Sequence, residues 1–216
     1  MIQPDDVARY LQDNPKFFED YAELLAHLYI PHPHGGRTIS ITERQILTLR
    51  EKCRALEGKL GELIHFGEDN DAISAKVHRL SVALLAAHDF EQTAQALDFH
   101  LREDFAVPHV AVRLWGVPAQ DRIEFREVSE QTRISAAGLA YPFCGPAGSH
   151  ESVQWFGDDA PHVRSLAIVA LRREAETIGM LALGSEDPER FYPDMGTIYL
   201  VRIGELAAAA FVRTLG

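Results

Sequence analysis

The residues with the clearest chemical potential are a cysteine and a histidine in one glycine-rich stretch. Cys144 lies in the sequence YPFCGPAG (141–148), and His150 follows six residues later. A cysteine with a lowered thiol pKa can act as a nucleophile, and a nearby histidine can serve as its base. The flanking residues match no nucleophile motif, however, and cysteine is among the most often buried residue types. Three roles therefore stay open for Cys144, with packing favoured over a pocket-lining or redox-sensing role and over catalysis.

Histidines near the N-terminus form a second group that could do chemistry. His32 and His34 are spaced so that two ring nitrogens can approach one metal ion, and His27 lies nearby. No cysteine or carboxylate completes a convincing ligand set, so a polar loop is favoured and we expect no metal site. Phosphate-binding loops, dinucleotide motifs, G-x-S-x-G and H-E-x-x-H are also absent from the sequence. We therefore expect a protein without enzymatic activity or catalytic residues.

Aromatic residues in the second half of the chain suggest a ligand pocket, since such pockets are mostly apolar with few polar anchors. Arg113 alternates with apolar neighbours in a strand-like stretch, so its guanidinium can anchor an anion or be solvated. Core packing is the competing interpretation for the aromatic side chains. The candidate ligand-binding residues are Arg113, Trp115, Phe125, Tyr141, Phe143, Cys144 and Trp155.

An apolar seam indicates a coiled-coil helix. Its residues recur at alternating intervals of three and four, which places them at positions a and d of three heptads. Lys52 falls at position g and Glu57 at the following e, so a parallel dimer brings opposite charges together. Cys53 occupies an a position, where two copies face each other, as a small apolar side chain or as a redox cross-link. The predicted dimer-interface residues are Ile46, Leu49, Cys53, Leu56, Leu60 and Leu63.

The remaining pattern predicts helices followed by antiparallel strands. Short helical patterns precede a loop over 31–36, and the long helix continues or kinks through the polar run GEDND (67–71). Alternating residues predict strands over 109–116 and 122–129, and apolar runs predict strands over 165–173 and 177–185. Loops with short strands are expected over 130–163, and a last helix near 194–214. This order predicts an α+β fold with an antiparallel sheet and helices on one face.

Charge and composition exclude several classes of protein. The 216 residues have a formal net charge of −11, and no segment has the basic surface that binds nucleic acid. Two cysteines suit a reducing compartment, and no apolar run approaches the roughly 18 residues of a membrane span. Residues 37–70 have six basic and six acidic groups, as suits a self-pairing helix. We therefore expect a cytoplasmic protein that binds neither nucleic acid nor membranes.

Residues from about 72 to 216 resemble a GAF domain, a small-molecule-sensing relative of the PAS fold. The likeness rests on SLAIVAL (165–171), IGMLALGS (178–185) and Phe191 before the final helix. Upstream, DVARYLQDNPKFF (6–18), LLAHLYIPHPHGG (24–36) and ERQILTLREKCRALEGKL (43–60) resemble a proteobacterial GAF-like family of unknown function. The resemblance implies an N-terminal helical unit (1–36), a coiled-coil helix (37–70) and a GAF-like domain (71–216).

Together, these patterns favour a sensor or adaptor that is not an enzyme. The GAF-like domain would bind an unidentified small molecule or a protein, and the long helix would form a homodimer. Phe17, Phe18 and Tyr21 on the acidic N-terminal helices are the predicted docking site for a protein partner. A scaffold with a degenerate GAF fold and no ligand, or a cysteine-based redox sensor, is the alternative.

Overall fold

The computed structural model describes residues 3–27, 29–32 and 35–215, with the side chains of residues 3–24 and 44–215. The chain divides into two compact units, Met1–Glu68 and Asp69–Gly216. The predicted division into three segments stays a prediction. In the described ranges, no helix is both long and hydrophobic enough to cross a membrane.

The first unit begins with three short helices, α1 (Pro4–Asp13), α2 (Phe17–Asp20) and α3 (Ala22–His27). Proline at the first position of α1 suits a helix start, because its missing N–H has no partner there in any helix. Of the predicted loop over 31–36, residues 31, 32, 35 and 36 lie instead in the antiparallel strands β1 (Tyr29–His32) and β2 (Gly35–Ser40), in which His32 pairs with Gly35. The histidine hypothesis lies outside the described residues, because His34 and the side chains of His27 and His32 are not among them.

A single helix, α4 (Ile41–Ala86), carries the heptad seam and continues through the polar run into the second unit. Its first part has an uncovered apolar seam: Leu49, Leu56 and Leu63 are 60%, 65% and 67% exposed, and Cys53 is also exposed. Its last part is different, because Val77 and Leu80 are buried. The polar run over 67–71 thus separates an exposed apolar stripe from one that belongs to the core of the second unit.

The second unit contains a four-stranded sheet of β3 (His109–Leu114), β4 (Phe143–Pro146), β5 (Ser165–Arg173) and β6 (Glu176–Ser185). All pairs are antiparallel, in the order β3-β6-β5-β4. The predicted α+β class and the strands over 165–173 and 177–185 are confirmed. The strand predicted over 122–129 is wrong, because the chain forms a short 3-10 helix there (Ile123–Phe125) and β3 pairs only with β6.

The sheet has two covered faces. The end of α4, α5 (Phe90–Glu103) and α7 (Ile198–Leu215) pack on one face, here called the helical face, and form the larger core with Phe211 fully buried. The other, called the second face, is covered by α6 (Glu130–Gly138) and a 3-10 segment (Glu151–His162) with a kink at Gly157. The long helices share one face as predicted, but residues 130–163 contain helical structure where mostly loops were expected.

Polar contacts hold the last part of α4 against the rest of the second unit. The Arg79 guanidinium donates to Asp104 over 2.8 Å, and this bond is the main reason why the pKa of Asp104 falls to about 2. The Tyr199 hydroxyl donates to the carbonyl of Asn70 over 3.0 Å. Arg213 donates to two carbonyls at the end of α4, each over 2.8 Å, and so satisfies acceptors that a helix C-terminus leaves open.

Candidate functional site

Alternation along β3 decides where the candidate residues point. Val112 and Leu114 face the helical core, so Arg113 projects to the second face, where it lies opposite Met180 in the register. Trp115, Phe143 and Trp155 also pack on the second face. The structure therefore gathers four of the seven predicted ligand-binding residues on this face, and they come from β3, the residue that follows it, β4 and the 3-10 segment.

Arg113 is the least expected of these side chains, because it is a cation with only 6% exposure. Its Nη1 donates to the carbonyl of Val112 over 2.8 Å, and its guanidinium lies 5.2 Å from the centre of the Trp155 ring. In the part of the chain that the structure describes, Arg113 forms no ion pair with a carboxylate. Burial lowers its pKa, the nearby Arg126 lowers it further, and Glu124 acts in the opposite direction.

Arg113 and Trp155 line a cavity of about 310 Å³ at the free edge of β3, between α5 and the short 3-10 helix. Arg122 and Glu124 also line this cavity, and the distance from Arg122 Nε to Glu124 Oε2 is 3.5 Å. Their atoms Arg122 Nε and Glu124 Oε2 are buried and make no hydrogen bond. They form an ion pair with each other at 3.5 Å, so the wall holds a buried charge pair whose hydrogen-bonding capacity is not used.

A smaller cavity of about 130 Å³ lies beneath α6, where Phe143 and His150 contact each other with ring centres 4.7 Å apart. Ser152 lines it, and its buried hydroxyl has no hydrogen-bond partner among the described residues. Glu151 accepts hydrogen bonds from Ser129 and Thr132 at the start of α6. Burial raises the pKa of Glu151, but these hydrogen bonds together lower it by more, so the carboxylate stays charged. The charged carboxylate thereby holds the start of α6 against the 3-10 segment.

The other three candidates lie elsewhere. Cys144 is buried in the core of the helical face, whereas its neighbour Phe143 and the contacting His150 are on the second face, so no Cys–His pair forms. Phe125 packs on Phe90 in that same core, with ring centres 5.2 Å apart. Tyr141 is 77% exposed at the rim of an open groove between β5 and α7.

A scan of protein-family models places the whole chain in one group. Residues 1–213 match the model described as a protein of unknown function, DUF484. The chain belongs to the DUF484 family. The predicted resemblance to a GAF-like family of unknown function is thereby confirmed, and a comparison with curated proteins found no match.

Solved structures similar to this DUF484 chain include several GAF domains. The GAF domain of A. aeolicus nlh2 in an inactive state has 16% identity and a TM-score of 0.47, over 66% of this chain and 97% of that one. The GAF domain of the potassium sensor histidine kinase KdpD from Escherichia coli has 14% identity and a TM-score of 0.37, over 65% and 94%. Free methionine-R-sulfoxide reductase from Neisseria meningitidis, in complex with its substrate, has 19% identity and a TM-score of 0.47, over 66% and 89%.

Sequence reasoning missed several buried polar residues in and near the candidate site. Arg122 and Glu124 fall in the stretch predicted as a strand, and neither was a candidate site residue. Ser152 was not singled out, since one serine in a loop carries no pattern. Arg133, on α6, lies 6.0 Å from the Trp115 ring centre and has a buried Nε without a hydrogen bond. Such residues can be identified only when the fold is known, because they are distinguished by a buried polar atom that has no hydrogen bond.

The reactivity of Cys144 gives a first testable prediction. Burial raises its thiol pKa from an ordinary 9.0 to about 11, so near neutral pH the thiolate fraction falls about a hundredfold. In a Cys53→Ser variant, we expect iodoacetamide to modify Cys144 at least about a hundredfold more slowly than it modifies N-acetylcysteine. The rate of modification of Cys144 should keep increasing as the pH is raised above 9. Denatured protein serves as the control for full reaction. A rate that equals the free thiol, or that levels off below pH 9, would contradict this prediction and revive the redox-sensor alternative.

Proposed function

We propose that this DUF484 protein is a dimeric sensor whose second unit binds a small molecule with an anionic group in the cavity beside Arg113. The observation that carries the proposal is the buried guanidinium of Arg113, which has no carboxylate partner in the described residues. Removing a cation from water without a counter-ion destabilises a fold. A carboxylate or phosphate on a ligand would supply the missing counter-ion through charge-assisted hydrogen bonds.

The surroundings of Arg113 support a bound organic molecule rather than a lone ion. Trp155 offers an aromatic face next to the cation, and the ion-paired Arg122 Nε and Glu124 Oε2 supply a donor and an acceptor without a hydrogen bond. The volume of about 310 Å³ lies in the range of small-molecule sites, which is roughly 300–1,000 Å³. Planar carboxylates and nucleoside monophosphates combine an anion with a ring that can stack, so they are the first compounds to test.

The binding test compares Arg113→Met with a matched control. Arg202→Met removes an exposed guanidinium that lies over the Tyr199 ring, 5.5 Å from its centre, outside the cavity. A ligand at 100 times its Kd stabilises the fold by about 2.7 kcal/mol, which raises the melting temperature by about 5–10 °C. We expect Arg113→Met to weaken binding about 10- to 100-fold by calorimetry, and Arg202→Met to leave it unchanged.

The stability of Arg113→Met without ligand shows whether Arg113 has a binding role or a structural one. Because the buried charge of Arg113 is not paired, the unliganded Arg113→Met protein is expected to be as stable as the wild type or more stable. A large loss of stability would make Arg113 a structural residue. If no compound shifts the wild-type melting temperature, the scaffold alternative is favoured instead.

Dimerisation through the long helix is the second part of the proposal. The seam from Ile46 to Leu63 is exposed in one chain, and exposed contiguous apolar surface is typical of interaction sites. Lys52 and Glu57 add charge complementarity for a parallel pair. A signal would pass along α4, because the same helix carries the seam and, at Val77 and Leu80, enters the core of the binding unit. A ligand shifts such a helix only if it binds one packing more tightly than the other.

The remaining predictions complete the proposal. Phe17 stacks on Tyr21 with ring centres 4.8 Å apart, and Phe18 and Tyr21 are 37% and 57% exposed, so this aromatic group is available to a protein partner. The absence of enzymatic activity and the cytoplasmic location stay predictions from the sequence. Among the described residues, no three His, Cys, Asp or Glu side chains are grouped to hold a metal ion.

A further inference from the structure

A third cavity, of about 350 Å³, lies on the helical side of the second unit, away from Arg113. It is enclosed by the last part of α4, the end of α5, the start of α7 and the loop over 186–197. Leu101, Leu183 and Ile203 form its floor and are each at most 2% exposed. The floor is therefore apolar and belongs to the main core of the domain.

The charged residues around this cavity are both cations. Lys76 and Arg190 line it, and no aspartate or glutamate does. The Lys76 ammonium lies 5.9 Å from the Phe105 ring centre, and the Arg190 guanidinium donates a short 2.5 Å hydrogen bond to the Phe105 carbonyl. Both cations thus meet at Phe105, and neither has an ion pair with a carboxylate in the described residues. The chain as a whole has a net charge of −11, so such a pair of cations stands out.

We propose that this cavity binds an amphiphilic carboxylate, with its acyl chain on the apolar floor and its carboxylate between Lys76 and Arg190. The side chains of Leu101, Leu183 and Ile203 form no hydrogen bonds, so they favour the burial of an apolar methylene chain. A carboxylate matches two cations that lack counter-ions, because charge-assisted hydrogen bonds to an ammonium and a guanidinium are the strong ones. The site is separate from the one beside Arg113, and it makes the domain responsive to acyl compounds.

The test is calorimetric titration of the full chain with hexanoate, octanoate and decanoate, each below its micellar concentration. Each two added methylenes are expected to tighten binding by about tenfold until the floor is filled. Octanamide and octylammonium are the uncharged and oppositely charged controls, and we expect both to bind at least about tenfold more weakly than octanoate. Equal binding of octanoate and octanamide would overturn the role of the two cations.

Lys76→Met tests whether Lys76 binds the carboxylate. Lys59→Met is its matched control, because Lys59 lies on the same helix but outside the cavity. We expect the first to weaken octanoate binding at least about tenfold and the second to leave it unchanged, with melting temperatures showing that both fold. Arg113→Met should leave octanoate binding unchanged, so failure here and failure of the site beside Arg113 are distinguishable. If none of the three acids binds, or if a second copy of the chain covers the cavity, the proposal is overturned.

Discussion

Replacing Phe211 by alanine is expected to lower the free energy of unfolding of the second unit by about 3–5 kcal/mol. Phe211 is fully buried on α7, and its ring centre lies 5.4 Å from that of Phe90. Phe90 in turn packs on Phe125, so one truncation leaves a void beneath an aromatic row. The cost combines the lost burial with the cavity that the close-packed surroundings cannot fill.

Phe99→Ala is the matched control, because the same atoms are removed from a side chain that is 59% exposed. We expect it to change the free energy of unfolding by less than about 1 kcal/mol. Both tryptophans of the chain, Trp115 and Trp155, are in the second unit, so their fluorescence in a denaturant titration reports on that unit. If Phe211→Ala does not fold, Phe211→Leu keeps most of the volume and should lose a smaller amount. Equal losses in Phe211→Ala and Phe99→Ala would show that the aromatic row is not the centre of the core.

Replacing Leu56 by aspartate is expected to raise the dissociation constant of the proposed dimer by about a thousandfold. Leu56 is at a d position of the seam, so a symmetric pair loses two buried leucines at about 2 kcal/mol each. The change also places two carboxylates opposite each other across the interface. Sedimentation over a range of protein concentrations should show a dimer for the wild type and a monomer for Leu56→Asp.

Leu47→Asp is the control for this experiment, since Leu47 is a b position of the same helix and is already 41% exposed. It should leave the dimer intact. Mild oxidation adds a test of orientation, because a parallel seam brings the two Cys53 side chains together. We expect a disulfide-linked dimer that Cys53→Ser abolishes. A dimer that tolerates Leu56→Asp, or an oxidised product that stays monomeric, would contradict the parallel seam.

Local patterns in the sequence were sufficient for much of the fold. Apolar runs that end at turn residues predicted β5 and β6 within one residue, because both strands are buried on two faces and read as continuous hydrophobic stretches. Asp89 begins α5 as its N-cap, a position where aspartate is preferred, and its side chain accepts from the backbone N–H of Gln92 over 2.8 Å. These features depend on residues within a few positions of one another, which is the range that periodicity and capping describe.

The stretch around Ile123 and Phe125 shows where local pattern was insufficient. Its alternation is that of a strand, yet Phe125 packs on Phe90, while Ile123 is 50% exposed. A strand needs a neighbouring strand to satisfy its backbone, and β3 leaves its outer edge unpaired instead. In place of strand pairing, this stretch has the contact of Phe125 with Phe90 at the start of α5.

By itself, the sequence determined the family, the α+β class, the seam on α4 and the direction of Arg113 relative to Val112. Only the tertiary structure decided which candidates share a site. Phe143 and Cys144 are adjacent in the chain but lie on opposite faces of the sheet, because successive side chains of a strand alternate. The burial of Arg113 without a counter-ion was equally hidden, since the distance from a cation to every carboxylate depends on the packing of segments that are far apart in the chain.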